Sequence, residues 1–137
     1  MTTESTDPLR RALVCEDDDR TRPMVAKMLE KEKFLVDTAA DGAEAIEKIK
    51  NHRYQLIVID LLMPKVGGYE VVQYLKKNLP PSLKRIVVTT GDSNALKNEF
   101  PEEICKVLAK PFEMKEFLTY ARECSEDTLT RAKRPKV

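Results

Sequence analysis

The stretch Tyr54-Gln55-Leu56-Ile57-Val58-Ile59-Asp60-Leu61-Leu62-Met63-Pro64 decides how the rest of the chain is read. Leu56 to Ile59 is an unbroken run of large aliphatic residues. A strand with one wet face alternates apolar with polar residues, so this run predicts a strand buried on both faces. It ends in Asp60, with Pro64 and the pair Gly67-Gly68 close behind. A carboxylate therefore stands where a central strand becomes a loop. In open parallel sheets, the crevice beyond the carboxyl ends of the strands is where ligands bind. An aspartate after a strand can also be a plain loop cap, so the surrounding segments have to decide between the two.

Upstream the same pattern recurs. Ala12-Leu13-Val14-Cys15 is a short apolar run that stops at Glu16-Asp17-Asp18-Asp19, a second buried strand ending in carboxylates. From Arg22 to Lys33, Val25, Met28 and Leu29 fall at helical spacing, with Pro23 acceptable in a first turn. Phe34-Leu35-Val36 opens a strand toward Ala39, and Asp41 is placed to cap a helix with Ala43, Ile46 and Ile49 on one face.

Downstream of the central strand, Gly68 to Asn78 puts Val71, Val72 and Leu75 on one helical face, and Pro80-Pro81 ends that helix. Ile86-Val87-Val88-Thr89 predicts a fourth strand running into Thr90-Gly91-Asp92. A short helix over Ala95 to Phe100 follows, then a last strand from Cys105 to Ala109. A helix over Glu113 to Ser125 carries Met114, Phe117, Leu118 and Ala121 at i, i+3, i+4 and i+7. Strands alternating strictly with helices imply a parallel sheet covered on both faces. The expected fold is α/β, doubly wound and flavodoxin-like, with five strands in order 2-1-3-4-5. The first and third strands then flank the switch point, so Glu16, Asp17 and Asp60 converge on one crevice.

The 137 residues and their net charge of +1 suit one domain with a real core, and give no bulk electrostatic reason to expect a nucleic acid or membrane partner. The N-terminal residues lack the apolar core of a signal peptide, and no run approaches the ~20 apolar residues of a membrane span. The expected location is the cytoplasm. Cys15, Cys105 and Cys124 are odd in number and lack CxxC spacing, which favours small buried hydrophobes over a disulfide or zinc site. The single histidine, His52, sits in a polar turn and has no partner for nucleophilic catalysis.

Carboxylates held together repel one another unless their pKa values rise or a cation binds. Oxygen ligands that leave room for water suit Mg²⁺, which commonly shares its shell with a phosphate. Thr90, from the fourth strand, and Lys110, from the fifth, should reach the same edge. A hydroxyl and an ammonium there supply hydrogen-bond donors and positive charge for phosphoryl oxygens. Asp60 becomes a candidate nucleophile, because carboxylates form acyl phosphates.

Taken in order, Cys15-Glu16-Asp17-Asp18, Ile59-Asp60-Leu61-Leu62-Met63-Pro64 with Gly68, Val88-Thr89-Thr90-Gly91 and Leu108-Ala109-Lys110-Pro111-Phe112 resemble the receiver domain of two-component response regulators, over roughly Arg11 to Ser125. The resemblance implies that Asp60 accepts a phosphoryl group from a histidine kinase or a histidine phosphotransfer protein. It implies Mg²⁺ held by Asp17, Asp60 and the backbone carbonyl of Leu62, with Glu16 helping through water. Lys110 would contact the phosphoryl group, Thr90 would move to bond it, and the Lys110-Pro111 peptide would be cis. The output would be a population shift that alters contacts with a downstream protein. Val107 stands where the family often carries an aromatic residue, and the segment from Thr90 to Lys110 is short.

Two other functions are weighed against that one. Aspartate-nucleophile phosphatases of the haloacid dehalogenase type place a second Asp two residues after the first; here that position is Leu62, which argues against turnover catalysis. An interaction module that has lost its chemistry would not need Glu16, Asp17, Asp60, Thr90 and Lys110 together. The expected organisation is an N-terminal extension over residues 1–10, a receiver domain over 11–125 and a flexible basic tail over 126–137, acting as a stand-alone receiver. Arg131 to Lys136 reads as a solvated terminus and not as a nucleic-acid contact.

Overall fold

The computed structural model of the protein describes residues 10–91 and 103–125. Its strands are β1 (Arg10–Cys15), β2 (Phe34–Ala39), β3 (Leu56–Asp60), β4 (Ile86–Thr90) and β5 (Lys106–Ala109). They form one sheet in the order β2-β1-β3-β4-β5, and every neighbouring pair is parallel. The helices are α1 (Thr21–Lys31), α2 (Gly42–Asn51), α3 (Gly68–Asn78) and α4 (Met114–Cys124). The doubly wound expectation holds.

β3 and β4 are buried at every position, as their aliphatic runs predict. Side chains alternate across the sheet, so its two faces build two cores. Leu13, Ile57, Ile59, Ile86 and Val88 pack with Ala45, Ile49, Val71, Val72 and Leu75 of α2 and α3. Ala12, Val14, Leu56, Val58 and Val87 pack with Val25, Met28 and Leu29 of α1 and with Phe117 and Ala121 of α4. Local chemistry fixes where the helices start. Asp41 accepts from the Glu44 backbone N–H at 2.8 Å, and the Glu44 carboxylate accepts from the Ala40 N–H at 2.9 Å, closing a reciprocal cap on α2.

The elements differ from the sequence expectations at several points. β1 begins at Arg10, two residues early, because both arginines find partners across the sheet edge. Arg10 lies 4.4 Å from the Phe34 ring centre, and Arg11 pairs with Asp37 at 3.1 Å. The helix expected to reach Lys33 ends at Lys31, and Lys33 takes a positive φ of 72° in the turn that follows. Pro80-Pro81 does end α3 but also starts a 3₁₀ helix, Pro80–Arg85, whose first turn needs no proline N–H. The helix expected over Ala95 to Phe100 lies outside the described residues, as do residues 1–9 and the 126–137 tail. The cysteines depart most. Cys105 and Cys124 form a disulfide, because the register of β5 and the docking of α4 bring their Cα atoms to 5.8 Å; Cys15 alone is a free buried thiol. Among the described residues, no helix is long and apolar enough to cross a membrane.

Candidate functional site

Because every strand is parallel, the carboxyl ends of β1, β3, β4 and β5 share one edge, and the chain places its polar residues there. Asp60 is the last residue of β3 and only 5% exposed. Glu16, the first residue after β1, is 4% exposed and held in line by its backbone N–H, which donates to the Ala39 carbonyl at 3.0 Å. Asp17 follows on the exposed surface, and carboxylate oxygens of Glu16, Asp17 and Asp60 lie within 4.8 Å of one another. From across the crevice, Lys110 Nζ donates to Glu16 Oε1 at 2.6 Å and lies 3.3 Å from Asp60 Oδ2. The Lys110-Pro111 peptide is cis, as the resemblance implies.

Thr90 ends β4 at the same edge, and its carbonyl accepts from the Lys110 backbone N–H at 2.8 Å. The register pairs Asp60 with Thr89, and Thr90 stands one residue further along the strand. Leu62 contributes a backbone N–H that donates to Asp60 Oδ1 at 3.3 Å, while its side chain is 58% exposed.

Several supports were not legible as motifs. Arg22 Nη1 donates to the carbonyls of Glu16 and Asp17 at 3.0 and 3.2 Å, fixing the acidic loop from the first turn of α1. Asp18 accepts from the backbone N–H groups of Arg20 and Thr21 at 3.1 and 2.7 Å, and the Thr21 bond above all holds its carboxyl below the usual range. Gly68 packs directly behind Asp60: a Cβ there would stand 2.3 Å from the Asp60 carbonyl oxygen. Only the absence of a side chain lets α3 start so close to the nucleophile candidate.

Burial, and then the Glu16 charge beside it, push Asp60 up to about 6; the Lys110 ammonium and the Leu62 N–H act in the opposite direction. Burial works against the charge of Lys110, but the Glu16 hydrogen bond and the charges of Asp60 and Glu16 outweigh it and hold the ammonium above its ordinary value. Two buried carboxylates thus share one ammonium, with a third carboxylate at the rim. The donor set is all hard oxygen and includes an aspartate whose ionised form is under-compensated, so the residues fit a hydrated, hard divalent cation such as Mg²⁺.

A family model described as the response regulator receiver domain matches residues 12–122. The response regulator receiver protein CpdR of Brucella abortus is 30% identical over 112 residues, covering 80% of this chain and 92% of that one. The regulatory protein VanRB of Enterococcus faecalis is 29% identical over 105 residues, covering 77% of this chain but 47% of its own length. The chain therefore spans about half the length of that relative, and nearly all of the other. Among solved structures, the response regulator TrrA of Thermotoga maritima in complex with Mg²⁺-BeF superposes with a TM-score of 0.77 at 25% identity, covering 85% of this chain and 99% of that one. With the match spanning most of the sequence, and the acids, the lysine and the sheet order at the positions described, the chain belongs to the receiver domain family of two-component response regulators.

Proposed function

We propose that Asp60 is the phosphoacceptor of this receiver domain, with Glu16, Asp17, Asp60 and the backbone carbonyl of Leu62 forming a Mg²⁺ site. One observation carries the reading: a buried carboxylate at a strand end, pushed up to about 6, sits 3.3 Å from a lysine ammonium that it shares with a second buried acid. An Asp60 carboxylate oxygen attacks the phosphorus of a phosphohistidine, the P–N bond breaks, and the departing imidazole nitrogen keeps the electron pair and takes a proton. The product is an aspartyl acyl phosphate.

The bound cation would supply neutralising charge to the phosphoryl oxygens. Lys110 turns from Glu16 and Asp60 toward the new phosphoryl oxygens. The Thr90 hydroxyl donates to one of them, which draws the end of β4 toward β3 and shifts the population of surface conformations. The donor is a histidine kinase or histidine phosphotransfer protein, and the receiver of the signal is a downstream protein. The cytoplasm, where such donors act, is the proposed location. Leu62 presents an apolar, exposed side chain beside Asp60 and offers no acid or base to activate water, which favours a lasting acyl phosphate over turnover hydrolysis. The test is labelling with a small-molecule phosphodonor and Mg²⁺, read by intact mass. One phosphoryl group adds to the wild type and none to Asp60→Asn; undiminished labelling of the variant would place the acceptor elsewhere.

A further inference from the structure

β5 and α4 meet at a corner held by two adjacent cross-links. Cys105, immediately before β5, is bonded to Cys124, the last residue of α4. Beside that bond, Lys106 Nζ lies 3.7 Å from Glu123 Oε1 and 4.8 Å from the centre of the Tyr120 ring. We propose that Cys105–Cys124 is a reversible thiol–disulfide modification site that sets how firmly the last turn of α4 is held on the edge strand β5.

The chemistry is confined to this pair. Cys15 is 1% exposed within β1, and burial pushes its thiol up, so it offers neither access nor thiolate. The bond is not the sole anchor of α4. α4 is already anchored by fully buried Phe117 and Ala121, and Phe117 stacks on Phe112 with ring centres 5.3 Å apart. Access is asymmetric: Cys105 is partly exposed, whereas Cys124 is wholly buried. The inference rests on the cytoplasmic reading above, because disulfides in a glutathione-reduced compartment are usually transient and redox-sensing, whereas those of secreted proteins are structural.

The exchange is written with glutathione as the co-reactant. A glutathione thiolate attacks the sulfur of Cys105, the less buried residue of the pair, the protein S–S bond breaks, and Cys124 leaves as a thiolate that takes a proton from water. A second glutathione thiolate then displaces Cys105 from the mixed disulfide. Two thiols are oxidised to glutathione disulfide as the protein pair gains two electrons and two protons. Oxidation runs the same steps in reverse.

With the bond open, the corner keeps the Lys106–Glu123 pair, the Arg122–Glu32 pair at 2.9 Å and the Arg10–Ser125 hydrogen bond at 3.1 Å. The two ion pairs are exposed links of small individual worth, and the Arg10–Ser125 bond is part-buried. β5 is four residues long, so a single short strand separates Cys105 from Lys110 at the site.

The experiment uses the whole chain in buffers of graded glutathione to glutathione disulfide ratio, with thiols trapped by acid, alkylated in denaturant and counted by intact mass. The expected count passes from three alkylated thiols to one as the ratio becomes oxidising, returns on reversal, and loses the internal bond in Cys105→Ser and Cys124→Ser. Amide hydrogen exchange in Lys106–Ala109 and the last turn of α4 should be at least about tenfold faster in the reduced protein, with β1 and β3 unchanged. A pair that stays bonded at strongly reducing ratios, stays open at all ratios, or leaves exchange at the corner unaltered overturns the proposal. Phosphoryl labelling of the same samples keeps the two readings separate. A chain that labels but does not cycle loses only the redox site, and one that cycles but never labels loses only the phosphoacceptor assignment.

Discussion

Thr89 and Thr90 are 3% and 1% exposed, so burial does not say which one serves the crevice. Strand alternation puts them on opposite faces: Thr89 shares the parity of Val87, in the core under α1 and α4, and Thr90 that of Val88, in the core under α2 and α3. The carbonyl of Thr90, not that of Thr89, is tied to the backbone of Lys110, so movement at Thr90 is coupled to the lysine that reaches Asp60. Thr90→Val is expected to leave phosphorylation of Asp60 intact while reducing by at least half the NMR shift changes that a beryllofluoride phosphoryl mimic produces. Thr89→Val should leave those changes as they are. The opposite pattern would move the switch by one residue. At this scale the sequence spoke clearly wherever a charge interrupts an apolar run, as Glu16 does after β1 and Asp60 at the end of β3. It was silent about Arg22, whose guanidinium clamps the acidic loop through carbonyls, because nothing in an arginine on a helix announces a backbone partner.

Among the elements, α3 illustrates how a helix start positions a reacting group. The Gly68 N–H donates to the Leu61 carbonyl at 3.1 Å, and the Gly67 N–H to the Glu70 carboxylate at 3.0 Å, so the helix opens flush against the end of β3. Gly68→Ala is expected to cost about 1–3 kcal/mol, the usual penalty for forcing an extra methyl group into packed structure, and to slow labelling of Asp60 because backbone at both positions has to shift. Gly91, where a Cβ meets nothing within 4 Å among the described residues, provides the contrast. Gly91→Ala should stay within about 0.5 kcal/mol of wild type in urea unfolding, the range of a neutral surface change. Equal penalties for the two variants would mean that close approach is not what Gly68 provides. Helix and strand periodicity was legible in α3 and the buried strands because each carries one apolar face or a continuous apolar run; in α2 Ala45 is buried where Ala43 was expected, and in α4 Phe117 and Ala121 are buried while Met114 is exposed. The pairing of Cys105 with Cys124 was not, since it depends on β5 and α4 docking across a sequence separation of 19, and a cysteine on an apolar face looks the same whether or not a second one stands opposite.

For the whole molecule, the site is a charge imbalance that folding has to accommodate. Asp60 ordinarily titrates near 3.8 and is pushed up to about 6 in the folded chain, first by burial and then by Glu16. A proton is therefore held more tightly by the folded than by the unfolded state. The stabilisation from a neutral Asp60 is fully present below the unfolded value and is lost as pH rises through about 6. A shift of this size corresponds to at most about 3 kcal/mol, and sharing with Glu16 and Lys110 makes 1–3 kcal/mol the expected range. In chelator, Asp60→Asn should be more stable than wild type by that amount at pH 7.5, and the gap should close by pH 4. Mg²⁺ should act in the opposite direction, since it favours the ionised carboxylates: at one hundred times its dissociation constant it should add about 2.7 kcal/mol to wild-type stability at pH 7.5, and progressively less toward pH 5. Urea midpoints for the two proteins at these pH values, with and without Mg²⁺, check both halves at once. If wild type and Asp60→Asn run parallel from pH 4 to 7.5 in chelator, Asp60 does not carry the imbalance. If Mg²⁺ stabilises both proteins equally, Asp60 is not among its ligands.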